Sequence, residues 1–555
     1  MIDRLRAGGG AFVAHLLLAL VITGPAALRP TTTLLGSPNV DVWNHAWGPW
    51  YFLASARAGK LPWETTLLAA PDGGVLWFID PLLGLFGAPL AAVIGVAATW
   101  NVMMTLAVAF GSYGAWRFAE ALGAPAPARW VASAALAGSA WLSCELHNGI
   151  SEAVNLGPMA LALAYTAEAL QAPPGARPWV KVGLGVGLAA IVSPYLGLAT
   201  GACVLVRAIG AWRWAWAAAL TAFVLAAPTI GALRAQLQHP FAIIKHPPEM
   251  NAMLAAHNAV DPRAFFAPLG FRSVDLSAEG FEHSPYLGLV ALALGVWGVF
   301  GAERRGPLLA WAAAGLTCAA LALGPYLYWD GAFVEVSGRK LMLPWAFVQS
   351  VIPGLAITHP LRLAAPTLAV TAALAALGAA RLGPRAWMLV VPVLLDGLLF
   401  SGAPWPVTVS PAEIPAVYAK IPTGGDGVVL DLPTDAGTTM STSRYLYYQT
   451  AHGHPIPYAP DARAATSPLL RRASFRALAA LCRRRADEQT NLGFDGGPQD
   501  DVRRSDLTAE GVRYVILHRE LDPHVTPGLR AALEAGLGPG VEIGDAVLWD
   551  LNGIP

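Results

Sequence analysis

Apolar and polar positions alternate on the scale of whole segments: apolar runs separated by short junctions fill most of residues 1–404. A helix needs about 20 such residues to cross hydrocarbon about 30 Å thick. The first run, Phe12 to Leu28, is preceded by Arg4 and Arg6 and deepened by Gly8 to Gly10. Pro25 and the bulky Leu28-Arg29 make a poor cleavage site, so this run is expected to be an uncleaved helix with its N-terminus in the cytoplasm. Further spans are predicted near 98–117, 130–145, 156–171, 178–194, 195–210, 213–232, 285–302, 307–325, 362–380 and 386–403.

The basic residues set the orientation. Arg117 and Arg129, Arg177 and Lys181, Arg207 and Arg213, Glu303-Arg304-Arg305, and Arg381 and Arg385 fall on alternate junctions. All lie in the cytoplasm if the apolar piece Val75 to Gly95, interrupted by Pro81 and Pro89, rests in the interface instead of spanning. That choice gives about 11 spans and puts the polar tail after Ser401 outside the cytoplasm. Trp43, Trp47, Trp50, Tyr51, Trp63 and Trp77 crowd the first outer loop, 30–97, and predict short helices along the outer membrane face. A second outer loop covers 233–284. In the tail, Gly427–Pro433 and Gly511–His518 read as buried strands, and Leu469–Arg485 and Pro527–Ala535 have helical spacing. The expected fold is therefore mainly α. It is a polytopic membrane domain over 1–404 with a small α/β extracytoplasmic domain over 405–555.

Composition agrees: 55% hydrophobic and 13% charged residues, with a mean hydropathy of +0.49, are too apolar for a soluble enzyme of 555 residues. The formal net charge is zero and the basic residues are scattered, which excludes a nucleic-acid footprint. Cys144, Cys203 and Cys318 lie in apolar stretches and Cys482 in the tail, without the spacing of a zinc or redox motif. The parts for ATP-driven transport, HExxH zinc proteolysis and serine hydrolysis are absent from the sequence.

Candidate chemistry gathers on the outer side. Asp41 and His45 share a helical face with Asn44 on the neighbouring ridge. A carboxylate backed by an imidazole and fenced with Trp suits a general base at the membrane surface; equally, Asp41 caps the next helix and His45 sits at the interface. Asp80, before Pro81, reads as a helix start or a further acid. His147, Asn148 and Glu152 lie in an outer turn rich in groups that bind a sugar or a divalent ion, with a solvated loop as the alternative. Arg339, His359 and Arg362 sit near the outer start of a late span. A fixed Arg there suits the phosphate of a lipid carrier or snorkels to the headgroups.

The order of these features resembles the GT-C superfamily of polytopic glycosyltransferases, which includes the protein O-mannosyltransferases. Asp41 occupies the place of the acid at the start of the first outer loop, and Asp80–Gly87 is similar to the second interfacial helix. The patterns Gly324-Pro-Tyr-Leu, Leu343-Pro-Trp, Ile352-Pro-Gly and His359-Pro-Leu-Arg362 resemble the stretch before a late span in bacterial members. In the tail, Val428–Pro433, Tyr447–Pro455 and Gly511–Val515 are similar to the outer domain of those members. The resemblance implies a polyprenyl-phosphate sugar donor and an inverting transfer outside the cytoplasmic membrane, with Asp41 as base or partner of a divalent cation. Asp41 lacks the adjacent second acid that the family often carries, which leaves metal dependence open. The competing reading is a non-enzymatic membrane protein, either a lipid or solute transporter or an envelope scaffold. The sparse ionisable groups within the spans speak against transport.

Overall fold

A helix occupies every apolar segment, because continuous Ala, Leu, Val and Gly runs satisfy their backbone only within a helix where water is absent. The computed structural model describes residues 2–78, 80–244, 247–267, 280–351, 357–434, 441–460, 471–490, 502–521 and 526–553, and their side chains except at 2–9, 441–442, 483–490 and 526–527. The Ile352-Pro-Gly354 pattern, Leu469 and Leu470, and the side chains of Arg4 and Arg6 lie outside the described residues.

The segments form helices Ile2–Ile22, Val96–Ala121, Gly157–Gln171, Ala176–Val192, Pro194–Ala208, Trp212–Gln238, Leu289–Gly301, Arg305–Ala322, Ala365–Ala380 and Val390–Leu399. The segment expected as one span over 130–145 is instead two helices, Ala126–Ala137 and Ala140–Asn148. The Ser139 hydroxyl interrupts it by accepting the Leu142 N–H at 3.2 Å, an N-cap in mid-segment. Among the described residues four stretches are long and apolar enough to cross a membrane: Val96–Ala121, Pro194–Gln238, Arg305–Ala322 and Pro360–Ala380. Ile2–Ile22 has 21 residues, and several of the others are shorter; a 12-residue helix such as Ala126–Ala137 rises only about 18 Å. The chain is a multi-pass membrane protein.

The first loop forms two helices, Val42–Arg57 and Pro81–Ile94. The second has 14 residues, a length of about 21 Å that falls short of the hydrocarbon thickness. The two pack closely: a Cβ on Gly84 would lie 2.4 Å from the Phe52 ring.

The tail contains a four-stranded sheet in the order Val541–Ile543, Ala546–Asp550, Val512–His518, Val428–Leu432. The two strands read from the sequence pair in parallel, and the two at the C-terminal end add antiparallel. Helices Ser441–His452, Ala473–Thr490 and Thr526–Leu537 accompany it. Within the sheet, buried Asp431 accepts hydrogen bonds from Tyr418 at 2.6 Å and from His518 at 3.0 Å.

The buried side chains of the tail and of the first loop form a single apolar cluster. Thr33–Leu35 pairs antiparallel with Val409–Pro411. Leu67 accepts from the Ile456 N–H, while Ala69 and Ala70 donate to Tyr458 and Ile456. Gln449, fully buried, accepts from Trp47 Nε1 at 2.9 Å and donates to the carbonyls of Leu67 at 2.7 Å and His454 at 2.9 Å. Replacing Gln449 by Leu keeps the bulk and strands two polar groups, the Trp47 indole N–H and the His454 carbonyl, while the Leu67 carbonyl keeps the Ile456 N–H. Each unpaired group costs about 1–3 kcal/mol. Thermal unfolding in detergent is expected to show a lower Tm and faster proteolysis in the first loop; an unchanged Tm would mean the joint does not depend on this side chain.

Candidate functional site

Four separate stretches converge at one set of helix ends. Asp41 stands at the N-cap position of Val42–Arg57, yet its side chain makes no capping hydrogen bond. It accepts a long bond, 3.4 Å, from Asn44 Nδ2. One turn on, His45 Nδ1 lies 3.2 Å from Ser151 Oγ and 3.6 Å from Glu152 Oε2. Ser151 and Glu152 belong to the short helix Ser151–Val154. That helix is brought against the start of Val42–Arg57 by Gly149, whose φ is +67° and where a Cβ would sit 2.6 Å from Val42 Cα. Only glycine fits that crossing.

The late-span residue Arg362, in the 3-10 turn Pro360–Ala364, donates to Glu152 Oε1 at 2.7 Å and lies over the Tyr195 ring at 5.4 Å. Asp41 and Glu145 also act on Arg362 electrostatically. His359 Nδ1 is 2.8 Å from Thr358 Oγ1, which is 2.6 Å from the Tyr195 hydroxyl. Glu152 is 2% exposed, whereas Asp41, His359 and Arg362 are half-buried. A charge-bearing rim thus lies over a buried carboxylate. Glu152 Oε2 and Glu145 Oε2 are buried without a hydrogen-bond partner among the described residues.

Asp80 completes the group. Its backbone is left-handed, φ 64° and ψ 64°, a conformation that Asp tolerates better than most residues, and its carboxylate caps Pro81–Ile94 by accepting the Leu83 N–H at 3.1 Å. Burial, with the nearby Glu152 charge adding to it, raises the Asp80 carboxyl to about 7 against the lowering effect of the Leu83 N–H and of Ser151.

His147 and Asn148, expected to bind sugar, hydrogen-bond to neighbouring loops. His147 Nδ1 is 3.0 Å from Thr408 Oγ1 and Nε2 is 3.3 Å from the Gly280 carbonyl. Both ends of the Asn148 amide engage the Glu282 backbone, at 2.6 and 2.9 Å. Arg339 is exposed on the two-stranded hairpin Glu335–Val336 with Arg339–Lys340, with the helix Pro344–Val351 between it and Arg362 along the chain. Ser151, Tyr195 and Glu145 were not singled out as site residues; His283 Nδ1 lies 3.0 Å from Glu145 Oε1. The depth of Glu145 in an apolar segment was the available signal. Among the described residues no group of three or more His, Cys, Asp and Glu side chains is arranged to hold a metal ion, so the divalent cation finds no ready ligand set there.

Two outcomes follow. Arg362→Gln leaves buried Glu152 facing other acids and is expected to destabilise by about 3–5 kcal/mol. Adding Glu152→Gln should restore most of it in thermal unfolding; purely additive losses would mean the pair is not coupled. Asp80 keeps its proton up to about pH 7 when folded, but in the unfolded chain releases it near 3.8. The folded state thus binds the extra proton between these values, and stability falls as pH rises through that window. Asp80→Asn keeps the cap and removes the charge, so its Tm advantage over wild type should widen from about pH 4 to about 7 and then level off. A constant advantage would contradict the assignment.

No protein-family model matches the chain, and no curated protein does. Solved structures do. Arabinofuranosyltransferase AftD from mycobacteria superposes with a TM-score of 0.57 at 18% identity, over 99% of this chain and 40% of AftD. The chain thus spans well under half the length of that protein. ArnT from Cupriavidus metallidurans, solved with undecaprenyl phosphate, gives 0.49 at 12% identity over 97% of this chain and 96% of ArnT. The oligosaccharyltransferase AglB from Archaeoglobus fulgidus, solved with an inhibitory peptide and a dolichol-phosphate, gives 0.47 at 11% identity over 97% and 72%. At such identities likeness speaks for fold alone, and the AftD superposition carries it: the chain shares the fold of the part of AftD that it spans.

Proposed function

We propose that the chain moves a sugar from a polyprenyl-phosphate donor to an envelope acceptor on the outer face of the cytoplasmic membrane. The observation that supports this most is the meeting of Arg362, Glu152, His45, Asp41 and Asp80 at helix ends, beside two apolar helices suited to the membrane surface. A polyprenyl-phosphate sugar keeps its tail in lipid and its phosphate at the interface, so such a site needs no nucleotide-binding fold. The fold shared with an arabinofuranosyltransferase supports the same reaction class.

In this reading the acceptor hydroxyl attacks the anomeric carbon and its proton passes to Asp41 at the start of Val42–Arg57. The bond from that carbon to the phosphate oxygen breaks, and its electron pair leaves on the polyprenyl phosphate. Arg362 is the cation in this reading and neutralises the charge gained there. Before the donor arrives the guanidinium is held by Glu152. Phosphate oxygens compete for the same donors, while Glu152 keeps His45 beside it. His147 and Asn148 position the turn that carries Glu152.

The test is sugar transfer from a panel of radiolabelled polyprenyl-phosphate sugars to envelope material, by wild type and Asp41→Asn. The variant is expected to fold with an unchanged Tm and to lose about 100-fold or more of turnover. Transfer at the wild-type rate would remove Asp41 from the mechanism.

A further inference from the structure

The first span ends in a groove that the transfer reaction does not use. At Ile22 the helix breaks: the Thr23 hydroxyl donates to the Ala19 carbonyl at 2.9 Å and lies 3.1 Å from Thr105 Oγ1, and the turn Gly24–Leu28 follows. Between this turn and residues 405–409 lies a cavity of about 470 Å³, lined by Val21, Gly24, Pro25, Leu28, Arg29, Trp405, Pro406 and Val409. A volume of that size falls within the range of ordinary small-molecule sites.

Three features define what fits. The walls are mostly apolar, and Leu28 among them is 85% exposed. Trp405, 40% exposed, offers the amphipathic ring that prefers headgroup depth. Arg29 contributes the single charge. Its backbone is fixed, since its carbonyl accepts from the Thr33 hydroxyl at 2.9 Å and its N–H reaches the Ala26 carbonyl. Its exposed guanidinium has no ion pair among the described residues. An apolar cleft closed by one fixed cation at the end of a span complements an amphiphile with one anionic phosphate.

We propose that this groove binds an anionic phospholipid of the surrounding bilayer, its phosphate on Arg29 and the upper part of an acyl chain against Val21, Leu28 and Val409. Val409 pairs with Leu35 in the two-stranded joint between the N-terminal region and the tail, so the bound lipid seals that joint. The site is independent of the transferase reading, because none of its residues belongs to the Glu152 group.

The test titrates the detergent-purified full chain with palmitoyl-oleoyl phosphatidylglycerol, the phosphatidylcholine of the same chains, or undecaprenyl phosphate, and reads bound lipid by native mass spectrometry. Phosphatidylglycerol is expected to bind preferentially. Arg29→Gln should weaken it about tenfold, the loss of a charge-assisted contact, while Arg29→Lys retains most of it. Gly24→Leu should abolish it by filling the groove; nothing lies within 4 Å of a Cβ at Gly24, so this variant is expected to fold with an unchanged Tm. Phosphatidylglycerol binding unchanged in both Arg29→Gln and Gly24→Leu would overturn the proposal. Preference for undecaprenyl phosphate with the same dependence on Arg29 would overturn it too, making the groove a carrier-lipid site.

Discussion

Glu152 lies deep in the protein, and a carboxylate there stays ionised only where a cation and hydrogen-bond donors replace its lost hydration. Arg362, 2.7 Å away, replaces the largest share, and His45 and Ser151 stand on the other side. That arrangement joins chain segments more than 200 residues apart. It ties helix Val42–Arg57 and the short helix Ser151–Val154 to the turn Pro360–Ala364. Buried ion pairs rarely add net stability against an apolar alternative, so the arrangement is better understood as fixing geometry. Asp41 and Glu145 also act on Arg362, and burial, with the Glu152 charge adding to it, raises the nearby Asp80 carboxyl to about 7.

The tail acts as a roof over this geometry. Its apolar side chains merge with those of the first loop, and Gln449 grips Trp47 on the same helix that carries Asp41 and His45. Movement of the tail therefore cannot leave the site untouched. His147, held by Thr408 from the tail side and by Gly280 from the second outer loop, extends the same bracing to the turn that carries Glu152.

Much of the architecture was legible in the chain. Apolar periodicity located the helices, because it is a local property of the sequence. The break at Gly138-Ser139 was missed, since a serine cap inside an apolar run leaves hydropathy almost unchanged. The last two strands of the tail, Val541–Ile543 and Ala546–Asp550, and helix Ser441–His452 were missed as well, the strands because of their brevity. Within the site, Asp41, His45, Asp80, Glu152 and Arg362 were each visible as ionisable residues at outer helix ends. Their meeting was not, because it depends on helix packing and on the left-handed Gly149. Polar type alone also could not show that the Asn148 amide hydrogen-bonds to a loop backbone. Arg339 looked equivalent to Arg362 until the hairpin carried it to the surface.

The central claim, that a carrier-lipid phosphate takes Arg362 from Glu152, is tested most directly by cryo-EM of the full chain in nanodiscs with undecaprenyl phosphate added. The account predicts density for the phosphate within hydrogen-bond distance of the Arg362 guanidinium, with the Glu152–Arg362 contact opened and Glu152 still beside His45. A phosphate bound elsewhere, over a closed Glu152–Arg362 pair, would contradict it.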